Sequence, residues 1–402
     1  MANVSSSNGL EKRPKLRFPG FDEPWKKSEF REFAEVNPKC QSIPEQFYYI
    51  DLGSVEDGEL NNTRIEDVLS APSRAQRLLS RNDILFQTVR PYQQNNYLFC
   101  EDRKLPTVAS TGYAVFRTQY DVQFLYALIH TKHFLSSVLS RCTGTSFPAV
   151  SASDIEDIII WAPSVDEQQE IGELFRLLNV KIRKQKALVE ALKKYKRGVI
   201  QRVFSGRKGN GKDHYPTWEV SSFGEFFTEQ IIKTSNSPDT PLVSLTVEDG
   251  ITPKTERYYR EFLITKEGDN YKAIKPGWFA YNPMNAHLGA IAANHLGYTA
   301  AVSGYYNIFS VNETDTISFW EEYLTSYPML IHYKLIATGS LIEKQRVHYS
   351  QFVGIRRCLP SVEEQKHLSK LFEAVNRKIA NAESMERQLV RMRVSLLQQL
   401  FI

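Results

Sequence analysis

The sequence of 402 residues has no apolar run long enough to cross a bilayer, which takes about 20 residues. Its greasiest stretch, Ile158-Ile159-Ile160-Trp161-Ala162, is the length of a core strand, so no membrane partner is expected. The opening residues lack the apolar segment of a secretory signal, and a cytoplasmic location is expected. Cysteine is scarce: Cys40, Cys100, Cys142 and Cys358 lie far apart, with no C-x-x-C pair. That argues against both a zinc site and a disulfide framework, and fits a reducing compartment. Neither sign of charge dominates, since 50 Lys and Arg against 46 Asp and Glu leave +4. Such a balance permits nucleic-acid binding without requiring it. Apolar residues are not lacking: at 42% they can build real cores, and the length predicts two or three domains.

The chain is written twice. Pro24-Trp25 followed by Phe30-Arg31-Glu32-Phe33 returns as Pro216-Thr217-Trp218 followed by Phe223-Gly224-Glu225-Phe226. Val55-Glu56-Asp57-Gly58 returns as Val247-Glu248-Asp249-Gly250, and Ser110-Thr111-Gly112-Tyr113 as Ser303-Gly304-Tyr305-Tyr306. Pro163-Ser164-Val165-Asp166-Glu167-Gln168 matches Pro360-Ser361-Val362-Glu363-Glu364-Gln365 at an offset of 197, held without a gap to Phe204 and Phe401. One register over about forty residues marks a duplication.

Each half opens with short β-branched and aromatic runs between turn residues, such as 47–50, 83–86 and 114–116, then 242–245, 278–281 and 307–311. A helical stretch follows, 123–139 in the first half and 320–332 in the second. Each half then closes in a long helix. Ser164 with Glu167, and Ser361 with Glu364, form the S-x-x-E pattern of a capping box. Apolar residues recur with a 4-3 period through Ile171, Phe175, Leu178, Ile182, Val189, Leu192, Val199 and Val203. In the copy they are Leu368, Phe372, Val375, Ile379, Ala382, Leu389, Leu396 and Leu400. Heptads of this length predict two helices paired as an antiparallel coiled coil, with Gln185 facing Glu386 near the middle. From 166 to 202 ten Lys and Arg stand against five Asp and Glu, a surface for phosphate or an acidic partner, or simply a solvated face.

Patterns that suggest catalysis fail on inspection. Gly206 to Lys212 fits the start of a phosphate-binding loop, but Asp213 stands where a Ser or Thr would hold magnesium. Asn282-Pro283-Met284-Asn285 lacks the aromatic fourth residue of the amino-methylating signature, and no Gly-rich turn for S-adenosylmethionine precedes it. His130 and His133 have no glutamate beside the first. With no active site legible, a binding role is expected, with no metal, cofactor or catalytic residue of the chain's own.

The opening Arg13-Pro14-Lys15-Leu16-Arg17-Phe18-Pro19-Gly20-Phe21 with Trp25, the two Pro-Ser-Val-x-Glu-Gln helix starts, Asn-Asp-Ile-Leu-Phe (82–86) and Thr-Gly-Thr-Ser-Phe-Pro-Ala-Val (143–150) resemble the specificity subunits of type I restriction–modification systems. The resemblance covers essentially the whole chain. It implies an α+β fold of two pseudo-repeated α/β target-recognition domains, 1–163 and 209–360. These are separated by a central helix, 164–208, and a C-terminal helix, 361–402. It implies that each domain reads one half of a bipartite, asymmetric double-stranded DNA target. The helices would set the gap and dock two methyltransferase subunits and, through the complex, restriction subunits. S-adenosylmethionine, ATP and magnesium would belong to those partners. A chain ending at Ile402 is expected to lack contacts made by any longer tail. Two other readings stay open: a fused adenine methyltransferase or nuclease, and a coiled-coil scaffold without DNA binding.

Base readout needs Arg, Asn, Gln, Ser or Thr on loops held at a groove. In the first domain that points to Gln87, Thr88, Arg90, Tyr92, Gln93, Gln94, Asn95 and Asn96, then Thr143 and Ser146. In the second it points to Asn282, Asn285 and His287, then Tyr305, Tyr306 and Asn307, and Lys344, Gln345 and Arg346.

Overall fold

The computed structural model describes residues 13–39, 42–204, 218–254, 271–339 and 345–402. Compact packing divides the chain into two units, 1–186 with 384–402, and 187–383, so that the cut passes through both long helices.

In the first unit, strands Glu35–Val36, Tyr113–Arg117, Ile84–Gln87 and Tyr97–Leu98 form one antiparallel sheet. A second sheet orders Arg64–Asp67, Gln46–Ile50, Thr107–Ser110 and Ala75–Leu78, with 46–50 and 107–110 parallel. Side chains alternate across a strand, and here both faces are covered. Ile84, Phe86, Ala114 and Phe116 face a core of helices, whereas Leu85, Tyr113 and Val115 face the second sheet through Ile50 and Ala109. Double burial explains why these strands read as continuous apolar runs. The expected helix 123–139 is two helices, Val122–Leu128 and Lys132–Leu139. Thr131 ends the first and caps the second, its hydroxyl accepting from Phe134 N at 3.2 Å.

The second unit repeats the plan. Phe227–Glu229, Asn307–Val311, Phe279–Tyr281 and Ile291–Ala293 form the counterpart of the first sheet in the same order. Lys233–Thr234, Tyr271–Ile274 and Ala300–Ser303 form the smaller second sheet. The expected helix 320–332 is again two, Ile317–Leu324 and Tyr327–Ile336, broken before Pro328 at the second position of the new helix.

The central helix runs Val165–Phe204 and the C-terminal helix Val362–Leu400, 40 and 39 residues. Within the first unit Leu178 and Ile182 pack with Leu389, Phe175 meets Phe401 at 5.9 Å, and Arg393 donates to Asn179 Oδ1 at 3.4 Å. The pairing is antiparallel, and the register of Ile182 with Leu389 brings Gln185 level with Glu386. Within the second unit Phe204 meets Phe372 at 5.9 Å and Lys193 pairs with Glu383 at 3.0 Å. Ser164 and Ser361 do cap, accepting from Glu167 N and Glu364 N at 3.5 and 3.3 Å. The glutamates turn elsewhere. Buried Glu167 takes a bidentate grip from Arg17 at 2.8 and 2.7 Å, and Glu364 accepts from Trp218 Nε1 at 3.2 Å. A carboxylate removed from water needs a charged or hydrogen-bonding partner more than a reciprocal cap does. Gln168 and Gln365, both buried, donate to Pro163 O and Pro360 O at 3.0 and 2.9 Å, locking each helix start to the strand before it.

Candidate nucleic-acid interface

The loop after strand Ile84–Gln87 is built around its last residue. Gln87 is buried, its Nε2 donating to Val89 O and Gln93 Oε1 at 2.8 Å each. Its Oε1 accepts from Asn95 N at 3.1 Å, and its backbone N–H is taken by buried Asn96 at 2.9 Å. Thr88, also buried, donates to Gly112 O at 2.8 Å. Three of the expected readers, Gln87, Thr88 and Asn96, are thus engaged inside the loop and shape it. Two non-glycine residues in the left-handed region, Arg90 (φ 55°) and Gln94 (φ 53°), bracket a 3-10 turn, Pro91–Gln93. Each such residue costs about 1–3 kcal/mol, and the Gln87 network holds them there.

Residues 143–150 lie against this loop although no local signal joins them. Arg90 N donates to Pro148 O at 2.7 Å, Val150 N donates to Thr88 O at 3.1 Å, and the Arg90 guanidinium lies 4.4 Å over the ring of Phe147. Tyr92, Gln93, Thr143, Ser146 and Phe147 are exposed around it, with Gln94 and Asn95 half-buried. The turn 110–113 flanks them, and Thr111 N donates to the carbonyl of Arg74 at 2.8 Å. Exposed Arg74 therefore borders the surface; only backbone contacts place it there, so sequence reasoning misses it. On the side of the 3-10 turn Pro91–Gln93, a cleft of about 570 Å³ is lined by Gln93, Gln94, Arg183 and Arg393 among others.

The second unit builds the same loop. Asn282 comes directly after its strand, at the place where Gln87 ends the first one, and its Oδ1 accepts from Met284 N at 3.0 Å. A 3-10 turn, Ala286–Leu288, follows Asn285 and ends at Gly289 (φ 98°). Val347 N donates to Pro283 O at 3.0 Å, as Val150 N does to Thr88 O. At an offset of 195, Asn285 therefore stands for Arg90, His287 for Tyr92, Leu288 for Gln93 and Gly289 for Gln94. Asn285 and Leu288 are exposed, and His287 is half-buried. Arg346 is exposed, its backbone bridged to Thr338, and Gln345 is half-buried; Lys344 lies outside the described residues. Tyr305 stands 85% exposed on the turn 303–306, while the carbonyl of half-buried Tyr306 accepts from Lys272 Nζ at 2.7 Å. Asn307 pairs with Tyr281 at the root of the loop. In each half the loop after the strand and a distant segment, 143–150 or 345–347, thus make one surface, built twice on similar turns with different side chains.

His130 is half-buried with Nδ1 at 2.6 Å from Tyr126 O and Nε2 at 3.4 Å from Asn96, and desolvation of the ring pulls its pKa down to about 4. It supports the loop from below through Asn96. Among the described residues no group of three His, Cys, Asp or Glu could hold a metal ion. Residues 206–212 lie outside the described residues, and no described helix is long and apolar enough to cross a membrane. Of the basic run on the central helix, Lys193 and Lys196 pair with Glu383 and Glu322 at 3.0 and 2.6 Å, while Lys194 and Arg197 are exposed.

No family model matches the chain. Over 140 residues, a third of the chain, it is 24% identical to the type I restriction enzyme HindI specificity subunit of Haemophilus influenzae, and spans 30% of the length of that curated relative. The type I restriction–modification S subunit of M. genitalium superposes with a TM-score of 0.64 at 13% identity, over 97% of this chain and 99% of that one. A chain from a type I restriction–modification assembly superposes at 0.57 with 18% identity, over 95% and 98%. The chain has the fold of a type I restriction–modification specificity subunit, and over a third of its length it matches one in sequence.

Proposed function

We propose that the chain reads double-stranded DNA through its two loop pairs, each unit taking one half of a bipartite, asymmetric target. One observation carries this reading. The same strand, 3-10 turn and supporting segment occur in both units, yet the residues presented are Arg90, Tyr92 and Gln93 in one and Asn285, His287 and Leu288 in the other. A duplicated scaffold with divergent tips suits two readers of different half-sites. Exposed Arg74, Lys194 and Arg197 supply charge for flanking phosphates.

The chain directs partners and leaves chemistry to them. Methyltransferase subunits bring S-adenosylmethionine, and restriction subunits bring ATP and magnesium. Their docking is supported by exposed apolar side chains repeated at the same heptad spacing on both helices, Leu188 and Tyr195 on one and Met385 and Met392 on the other. Two equivalent patches suit two copies of one partner. The test is selection from random duplexes by the chain assembled with its methyltransferase subunits. A split motif with a fixed gap is expected; a single uninterrupted motif, or no enrichment, overturns the reading.

A further inference from the structure

We propose that Arg90 and Asn285 are the specificity-determining pair, with Arg90 reading a guanine in one half-site and Asn285 an adenine at the corresponding position of the other. The inference rests on the two-reader function above and assigns bases within it.

The two residues stand at one place in the duplicated loop, with Arg90 in the left-handed region (φ 55°) and Asn285 outside it (φ −110°). Each is the residue before the 3-10 turn, three after a residue whose side chain is tied inside the loop, Gln87 or Asn282. Each sits beside the hydrogen bond that brings in the second segment, Val150 N to Thr88 O or Val347 N to Pro283 O. Both side chains are available. The guanidinium of half-buried Arg90 is paired with no carboxylate among the described residues and lies 4.4 Å over the ring of Phe147, with Nε enclosed and without a hydrogen-bond partner. Stacking fixes a planar fork before binding, so less freedom is lost on contact. The exposed carboxamide of Asn285 makes no hydrogen bond among the described residues, whereas that of Asn282 is taken by Met284 N.

The chemistry of the two tips then separates the bases. A guanidinium offers two parallel donors, which match the O6 and N7 acceptors of guanine in the major groove. A carboxamide offers one donor and one acceptor, which match N7 and N6 of adenine. Because both residues precede the same 3-10 turn, the difference in side chain and in local backbone becomes a difference in one base between the half-sites.

The experiment uses the assembled complex and the duplex it selects, with 7-deazaguanine or 7-deazaadenine replacing single purines to remove the N7 acceptor. One guanine in the first half-site and one adenine in the second should each weaken binding about 5- to 150-fold when replaced. In the Arg90→Ala complex the guanine effect should vanish and the adenine effect persist; Asn285→Ala should do the reverse. Arg90→Gln keeps a stem over Phe147 and should change the selected base from guanine to adenine, which serves if Arg90→Ala disturbs the loop. A split motif whose purines are insensitive, or equally sensitive in wild type and variants, overturns the base assignment alone. Absence of a split motif in wild type overturns the two-reader function with it.

Discussion

Gly172 and Ser369 occupy the same place in the two copies of the long helix and serve the same helix end by opposite means. In the first unit Phe124 N is capped by Asp121 at 2.7 Å, and Gly172 leaves room: a Cβ there would collide with the Asp121 carboxylate and lie 3.0 Å from Phe124 N. In the second unit the N-cap residue Thr316 makes no side-chain cap, and Ser369 reaches in to accept from Phe319 N at 3.0 Å. Phe124 and Phe319 are both third residues of their helices. An orphan amide at a helix start needs an acceptor, and the duplication found one from each side.

Alanine substitutions separate the two roles. Gly172→Ala should destabilise by about 1–3 kcal/mol through overpacking against the cap. Gly198→Ala, on the same helix with nothing within 4 Å of its would-be Cβ, should stabilise by up to ~1 kcal/mol. Ser369→Ala should lose about 1 kcal/mol with its cap. Thermal melts of the three variants check both the sign and the order.

Arg17 and Glu167, 150 residues apart, tie the opening segment to the start of the central helix. Arg17→Met leaves a buried carboxylate without its partner and should cost about 3–5 kcal/mol, whereas Arg17→Met with Glu167→Leu should recover most of it. Urea titration of wild type, single and double variants measures the recovery.

Acid acts through His130. Its pKa falls from 6.5 to about 4 on folding because burial disfavours the imidazolium, so the unfolded chain binds the proton more readily. Stability is full above about pH 6.5 and is lost as pH falls toward 4. His295 is shifted the other way, its pKa raised by the carboxylate of Glu321 at 2.8 Å. Its contribution is present below pH 6.5 and lost as pH rises through the folded value, and it is small because the ring is exposed. Local hydrogen exchange at pH 7 and pH 5 should show loop 87–96 opening more readily in acid, an effect that His130→Gln reduces.

Much of this molecule could be read from its sequence, and the residues show where that stops. The duplication, the helix starts at Ser164 and Ser361 and the seam through Phe175 and Ile182 follow from local periodicity and capping chemistry. The strands could be found because both faces are buried. What stayed hidden depends on long-range contact. Gln87, Thr88 and Asn96 carry the donors that suit a base, yet they follow a buried strand and bond within their own loop. That residues 143–150 lie against residues 87–96, and that Asn285 stands for Arg90, needs the sheet order to be known. The helix breaks at Thr131 and Ser326 are masked by apolar spacing that continues across them.

Partner docking has its own signature. Leu188→Asp with Tyr195→Ser, or Met385→Asp with Met392→Ser, should change folding stability by no more than about 0.5 kcal/mol, since all four side chains are roughly half exposed. Under the proposed docking of two methyltransferase subunits, each double variant should nevertheless lose one of them, read as mass by sedimentation of the complex.

The most direct test of two readers on one chain is a hydroxyl-radical footprint of the assembled complex on its selected duplex. The account predicts two protected patches, with Arg90→Ala removing protection from one and Asn285→Ala from the other. A single patch, or a pair that both variants weaken alike, would contradict it.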